Sequence, residues 1–435
     1  MARRRTHRPP RPLAHRLRRP ELLQRLGPGL ITGAADDDPS GIATYSQAGA
    51  AFGFNMLWTV VLTYPLMTAV QAICARIGRV TGKGLAGNLI EVFPRPLVLG
   101  LVGLLFVANA INIGADLAAM GEAAQLLVGR GAQAFTVGFA VLSLALQVFV
   151  PYHRYVRVLK WMTLALFAYV GVIFTVKIDW ADVALRTLMP RLSGTEAIVT
   201  VVAVFGTTIS PYLFFWESSE EVEEQSADPT TGPLLQQPAQ APAQLRRILI
   251  DNLVGMAVSN VIAFFIILTA AAALHAHGVT DVQTAQEAAL ALKPIAGPFA
   301  FLLFSLGIVG TGLLAIPVLA GSAGYAVGEL QGWKAGLEAK PSEAIGFYLV
   351  IAAAVLVGLL LTWSGVDPIK ALFWSAVVNG VISVPIMAAM MVVATRPQQM
   401  GPFTAGRALA ILGWLATTVM ALAVAVMAWS LRKGG

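Results

Sequence analysis

The sequence predicts an all-α integral membrane protein of about eleven spanning helices, built as two five-helix repeats plus one more helix, with the first and sixth spans unwound. Three observations carry this reading. Of 435 residues, 57% are hydrophobic and 12% charged, with a mean hydropathy of +0.72, about half the charged share of an average soluble domain. The apolar runs are long enough to cross a bilayer. Two of them, five spans apart, are each interrupted by a proline among small polar residues.

In chain order, residues 1–26 hold nine arginines, several prolines and no apolar period, so they read as a disordered, basic cytoplasmic arm able to touch anionic lipid. An arginine-rich start before an apolar run can mimic a secretory signal. Here the run contains Asp36, Asp37 and Asp38 and lacks a clear cleavage site, so no signal peptide is expected. One transmembrane domain follows over 27–430, with spans at 27–51, 55–77, 97–128, 132–150, 158–177, 196–222, 248–274, 297–320, 343–362, 369–394 and 406–430. Repeat one covers 27–177, repeat two 196–394, and the helix at 406–430 is appended.

Charge sets the expected orientation. With the N-terminus inside, 22 of the 30 lysines and arginines fall on the cytoplasmic side, and 13 against 8 remain when the arm is set aside. The expectation is a multi-pass protein of the plasma membrane, of bacterial inner-membrane type, with its N-terminus cytoplasmic and its C-terminus outside. The net charge of +7 is explained by this bias, and nucleic acid is not an expected partner. The lone cysteine, Cys74, sits in an apolar run, so no intrachain disulfide is possible. No soft-metal or zinc-hydrolase motif is present, and the sparse polar residues of the spans assemble no catalytic set, so an enzyme is not expected. The abundant small residues do not report an oligomeric state.

Three loops stand out. Residues 223–245 are polar, proline-containing and aperiodic, which reads as a flexible cytoplasmic linker. The segment 321–342 has balanced charge and reads as a solvated connection. The outer loop 275–296 carries His275 and His277, for which solvated imidazoles are the simpler reading and a metal pair the sharper one.

The first break lies in Gly27 to Ala50, where Asp38-Pro39-Ser40-Gly41 interrupts an apolar run. Pro39 has no amide hydrogen and Gly41 tolerates unusual backbone angles, so two half-helices meet here and free carbonyls point into the gap. Unpaired backbone at this depth is tolerated only beside protein or water, and a carboxylate there calls for a positive partner. Asp38 is therefore the leading ion ligand. The plainer alternative is a solvated helix end with an ordinary proline kink. The second break lies in Gly206 to Glu224, where Pro211 follows Ser210 inside an apolar helix after Thr207 and Thr208. Broken helices in corresponding positions point to an inverted repeat with a substrate site at its interface.

The stretch GPGLITGAADDDPSGIATYSQAGAAFG resembles the first helix of the NRAMP family of divalent-metal transporters, and GTTISPYLFFWES resembles its sixth. The resemblance extends over 27–430 and implies a LeuT-type fold and transition-metal transport. Two departures bear on the ion. The family's Asp-Pro-Gly-Asn is here Asp38-Pro39-Ser40-Gly41, so the carboxylate is kept and an amide is lost. The family's Ala-x-x-Met-Pro-His is here Thr207-Thr208-Ile209-Ser210-Pro211-Tyr212, so a thioether becomes a hydroxyl. Oxygen-only sites suit magnesium, calcium and manganese, and magnesium keeps its waters and needs few protein ligands. These departures resemble the NRAMP-related magnesium transporters, the branch with Asp-Pro-Ser-Gly.

The roles expected are Asp38 for charge, the freed Thr207 carbonyl facing the ion, the Ser210 hydroxyl contributing directly or through water, and Gly41 offering backbone and volume. For Thr207 and Ser210 the alternative is back-bonding to their own helix. Ser40, Tyr212, Glu217 and Asn379 are pathway candidates, Asn379 holding an ion's water or bonding a neighbouring helix. Tyr212 and Glu217 stand where the family carries histidines, and the acid a turn after Asp116 is replaced by Ala119, so weak or absent proton coupling is expected and Asp116 reads as structural. Glu217, Glu220, Glu221, Glu223 and Glu224 crowd the inner end of the sixth span. They read as a solvated helix end, or else as a collector of cations. The leading function is a carrier of divalent metal, Mg2+ first and Mn2+ next, with no cofactor because the metal is cargo. The alternatives are a proton-coupled Mn2+/Fe2+ transporter of ordinary NRAMP type and an amino-acid symporter on the same fold. The fixed charge of Asp38 opposes the symporter by repelling a substrate carboxylate.

Overall fold

In this chain, apolar runs become helices because a backbone crossing lipid must pair its own polar groups. The computed structural model describes residues 32, 33, 35–151, 154, 159, 162–191, 194–227, 230–337 and 339–434, and within them all regular structure is helical. The basic arm at 1–26 lies outside the described residues. In order come α1 (Pro39–Phe52), α2 (Leu57–Thr81), α3 (Leu85–Val92), α4 (Arg95–Val128), α5 (Ala132–Phe149), α6 (Phe167–Val172) and α7 (Trp180–Leu188). They are followed by α8 (Thr195–Thr208), α9 (Pro211–Ala227), α10 (Ala241–Ala273), α11 (Ala285–Leu290), α12 (Ala300–Gln331), α13 (Ile345–Leu361), α14 (Pro368–Thr395) and α15 (Arg407–Gly434).

Among the described residues, nine helical stretches are long and apolar enough to cross a membrane. One of these, Pro39–Thr81, covers the first two spans around a turn at Gly53–Met56. The expected fifth span at 158–177 lies partly outside the described residues, and α6 falls within it. At the centre, α4 packs against α5, α12, α13 and α14, while α8 lies along α14 and α10 along α1 and α2. Exposed apolar side chains such as Val141, Leu349, Leu360, Ile411 and Leu422 turn outward on α5, α13 and α15, as lipid-facing surfaces do. Close helix contacts rest on missing side chains: a Cβ at Gly206 of α8 would stand 2.0 Å from the Ala376 carbonyl oxygen of α14.

Several loop expectations are corrected. The segment 223–245 is no free linker, because α9 continues to Ala227 and Leu234 is fully buried. The Leu234 and Leu235 amides donate to the Arg79 and Val80 carbonyls at 3.1 and 3.2 Å, so two leucines amid polar residues dock the segment onto the end of α2. There Gly82 adopts φ +69, and a Cβ on it would meet Pro233 Cγ at 2.6 Å. The segment 321–342 begins as helix, since its small residues let α12 run to Gln331. Glu329 within it is buried and accepts the Gly87 amide at 2.8 Å and the Ser219 hydroxyl at 3.2 Å. His275 and His277 each face a backbone carbonyl, of Ala50 at 2.7 Å and of Ala273 at 3.0 Å, and do not converge.

The acids at the end of α9 are only partly solvated, Glu224 being exposed and Glu221 buried, and several of them are paired. Arg247 pairs with Glu221 at 2.6 Å and Glu224 at 3.0 Å, and Glu223 accepts from the Tyr325 hydroxyl at 2.7 Å and the Leu337 amide at 3.1 Å. They tie α9 to α10 and α12.

Candidate functional site

Both expected breaks are present. Residues 32, 33, 35 and 36 are helical, Asp37 is a bend, and Asp38 is extended at φ −70, ψ 171 before α1 starts at Pro39. The break therefore falls one residue earlier than the Pro-Ser-Gly run implies, because proline is comfortable as the first helical residue. Asp38 caps α1, its Oδ1 accepting the Gly41 amide at 2.7 Å. Gly41 thus sits in the first helical turn, and its amide is taken by Asp38. Its missing side chain matters all the same: a Cβ there would lie 3.4 Å from Thr207 Oγ1 and 3.3 Å from the Tyr45 ring.

On the other side α8 ends at Thr208, Ile209 turns at φ −115, ψ 61, and α9 starts at Pro211. The Ser210 hydroxyl lies 2.8 Å from both the Gly206 and Thr207 carbonyls, so its single proton bonds back onto its own helix. The alternative reading of Ser210 is the one observed. The Thr207 carbonyl, expected to be freed by the break, accepts from it.

The breaks face each other. Tyr212, second residue of α9, donates to the Ala35 carbonyl at 3.2 Å, and Tyr45 of α1 meets the Thr208 hydroxyl at 3.0 Å. Asp36, Asp37, Asp38, Thr207, Ser210 and Tyr212 are all nearly inaccessible to solvent. Asp36 and Asp37 share the Ser259 hydroxyl of α10, at 2.7 and 3.1 Å. Ser40 is buried beside them, with no hydrogen-bond partner for its hydroxyl.

Two residues that carry the site were not singled out from sequence. Asn112 of α4 donates from Nδ2 to Asp38 Oδ2 at 2.9 Å and, more weakly, to Asp116 Oδ2 at 3.4 Å, and Ser375 of α14 lies 2.7 Å from Asn112 Oδ1. The available signal was spacing: Asn112 and Asp116 are four apart, hence on one helix face. Asp116 accordingly joins Asp38 through an amide. Asn379, one turn beyond Ser375 on α14, is buried with its Oδ1 unpartnered.

Glu217 stands apart from this centre. It accepts from the hydroxyl of Thr32 and from Asn252 Nδ2 at 3.1 Å, fastening the half-helix before Asp37 to α9 and α10. On the opposite side, a cavity of about 660 Å³ is lined by Gln47 of α1, Glu196 and Thr200 of α8, Asp281 of the loop after α10, and Lys370 of α14. Among the described residues no three His, Cys, Asp or Glu side chains gather to hold a metal.

The family model described as "Natural resistance-associated macrophage protein-like" (Nramp) matches residues 29–430. The chain is 28% identical over 371 residues to the divalent metal cation transporter MntH of Pectobacterium carotovorum subsp. carotovorum (strain PC1), covering 82% of each chain. It is 27% identical over 422 residues to MntH of Klebsiella pneumoniae (strain 342), covering 94% of this chain and 93% of the relative. Among solved structures, the manganese transporter of Eremococcus coleocola, in complex with an aromatic bis-isothiourea substituted compound, superposes with a TM-score of 0.71 at 17% identity, over 93% of this chain and 86% of that one. That likeness concerns the fold alone. With the family model spanning nearly the whole membrane domain and both broken helices in place, the chain belongs to the Nramp family and has its LeuT-type, all-helical membrane fold.

Proposed function

We propose that this chain carries small hard divalent cations across the membrane by alternating access, magnesium before manganese, with weak or no proton coupling. The observation that carries the reading is Asp38. It is a buried carboxylate at the meeting of two helix breaks, with neutral donors on both oxygens, among them the Gly41 amide and the Asn112 amide. Each oxygen keeps lone-pair capacity for a cation. Thr207 and Ser210 add neutral oxygens on the facing break. Oxygen ligands with retained waters suit magnesium, whereas the family's thioether favours softer metals.

The manganese reading has its own support: the Eremococcus relative in fold is a manganese transporter, and oxygen-only sites also bind manganese. Proton coupling is expected to be weak because Tyr212 and Glu217 occupy the histidine positions, and Glu217 is engaged by Thr32 and Asn252. Access follows from the packing. The cavity at Gln47, Glu196 and Lys370 opens on one side while Thr32, Asp36 and Asp37 are fastened to α9 and α10 on the other. The arginine bias supports a cytoplasmic fastened side and an outward-facing cavity. Uptake into liposomes of purified protein tests the reading, with Mg2+, Mn2+ and Ca2+ at equal concentration and with or without a pH gradient. Mg2+ uptake indifferent to the gradient supports it. Uptake of Mn2+ alone, with acidification that tracks it, would replace it by the ordinary proton-coupled type.

A further inference from the structure

The side-chain amide of Asn112 occupies a position where positive charge is wanted. Its Nδ2 lies 2.9 Å from Asp38 Oδ2 and 3.4 Å from Asp116 Oδ2, all three side chains being buried, and the second Asp116 oxygen has no partner. Two carboxylates thus converge on one neutral NH2 group. On the far side of the amide, the Ser375 hydroxyl oxygen is 2.7 Å from Asn112 Oδ1 and 2.7 Å from the Leu372 carbonyl. A hydroxyl has one proton, so it serves one of these acceptors at a time.

Turning the amide over by half a rotation exchanges its oxygen and nitrogen and leaves the heavy-atom positions in place. The NH2 group then donates to Ser375 Oγ, whose own proton goes to the Leu372 carbonyl, so nothing on that side is left unpaired. The amide oxygen now faces Asp38 and Asp116. Without a cation those oxygens repel one another; with one they are ligands. Neighbouring ligands of an octahedral ion at about 2.0–2.1 Å stand about 2.9–3.0 Å apart. That separation matches the 2.9 Å between Asn112 and Asp38.

We infer that Asn112 is an ion ligand whose amide turns over on loading, giving its carbonyl oxygen to the dication held at Asp38 and its N–H to Ser375. The inference rests on the reading of Asp38 as the ion's carboxylate. It supplies from α4 a side-chain amide oxygen that Gly41 cannot supply from α1. On loading, the ion takes the place of the hydrogen bond from Asn112 to Asp38.

The test uses the purified full chain, with calorimetric titration of MgCl2 and MnCl2 and melting temperature as the check on folding. Asn112→Leu, close in volume but with no oxygen, is expected to weaken Mg2+ binding by about tenfold or more. Asn112→Asp, which keeps an oxygen in place but cannot donate, is expected to bind within about threefold of the native chain or more tightly. Were Asn112 only a donor that orients Asp38, N112D would lose as much as N112L, and that result overturns the inference, as does native affinity in N112L. Should N112L not fold, Ser375→Ala takes its place. It removes the acceptor of the turned amide, so weakened Mg2+ affinity supports the inference and unchanged affinity overturns it. Asp38→Ala separates the two readings: loss in D38A with none in N112L sinks only this inference, whereas native binding in D38A sinks the site itself.

Discussion

Asp38 is a capping residue: one carboxylate oxygen takes the Gly41 amide at the start of α1, and the other takes the Asn112 amide of α4. Removing it leaves a helix start with weaker capping, at a cost of about 1 kcal/mol, and a site without its charge. Asp38→Ala is therefore expected to fold and insert normally and to lose divalent uptake by about two orders of magnitude, measured with an ion-sensitive dye in liposomes. Ser210 tests ion preference at the same scale. Ser210→Met returns a thioether to the break and gives up only a back-bond to the Gly206 and Thr207 carbonyls. The ratio of Mn2+ to Mg2+ uptake is expected to rise by about tenfold; an unchanged ratio would show that the thioether position does not set hardness here. Asp38 was legible because an acid next to proline in an apolar run is costly to bury unless a cation joins it. Asn112 was not, because an amide in a span reads equally well as glue between helices, and only the approach of α4 to the first break gives it Asp38 as a partner.

At the scale of elements, the two breaks keep their register because the helices around them cannot slide. Gly206 lets α8 press on α14 so closely that Gly206→Val would force a side chain into the Ala376 carbonyl at 2.0 Å. Overpacking of this kind costs about 1–3 kcal/mol, so a lower melting temperature and reduced uptake are expected together. The half-helix before Asp37 is held differently, by Glu217 bonded to Thr32 and Asn252. Glu217→Ala leaves the buried Asn252 amide without that acceptor, and it should loosen the closure on this side. Ser259→Cys is a suitable reporter because the lone native cysteine, Cys74, is buried. Maleimide labelling at this position is expected to be slow in the native background and clearly faster with Glu217→Ala; equal rates would show that Glu217 does not hold the closure. Proline and polar neighbours placed both breaks in the sequence to within a residue or two. The docked segment after α9 was misread because composition describes an average, whereas burial of Leu234 depends on a groove that only the folded α2 provides.

For the whole molecule, hydropathy revealed the all-helical membrane class, since that is a property of the chain's pattern and needs no tertiary detail; the inverted repeat remains the reading that the spacing of the two breaks suggests. Ion identity is a property of a few atoms, so pattern alone narrows it without deciding it. These scales meet in one claim, that two facing helix breaks hold a hard dication largely with oxygen. The most direct test is a crystal structure of the full chain grown with Mn2+, which scatters anomalously and stands in for the hard cation. The claim predicts one strong anomalous peak about 2.0–2.4 Å from an Asp38 carboxylate oxygen, between α1 and the α8–α9 break. A peak confined to the cavity near Glu196 and Asp281, or none at Asp38 while uptake persists, would contradict it.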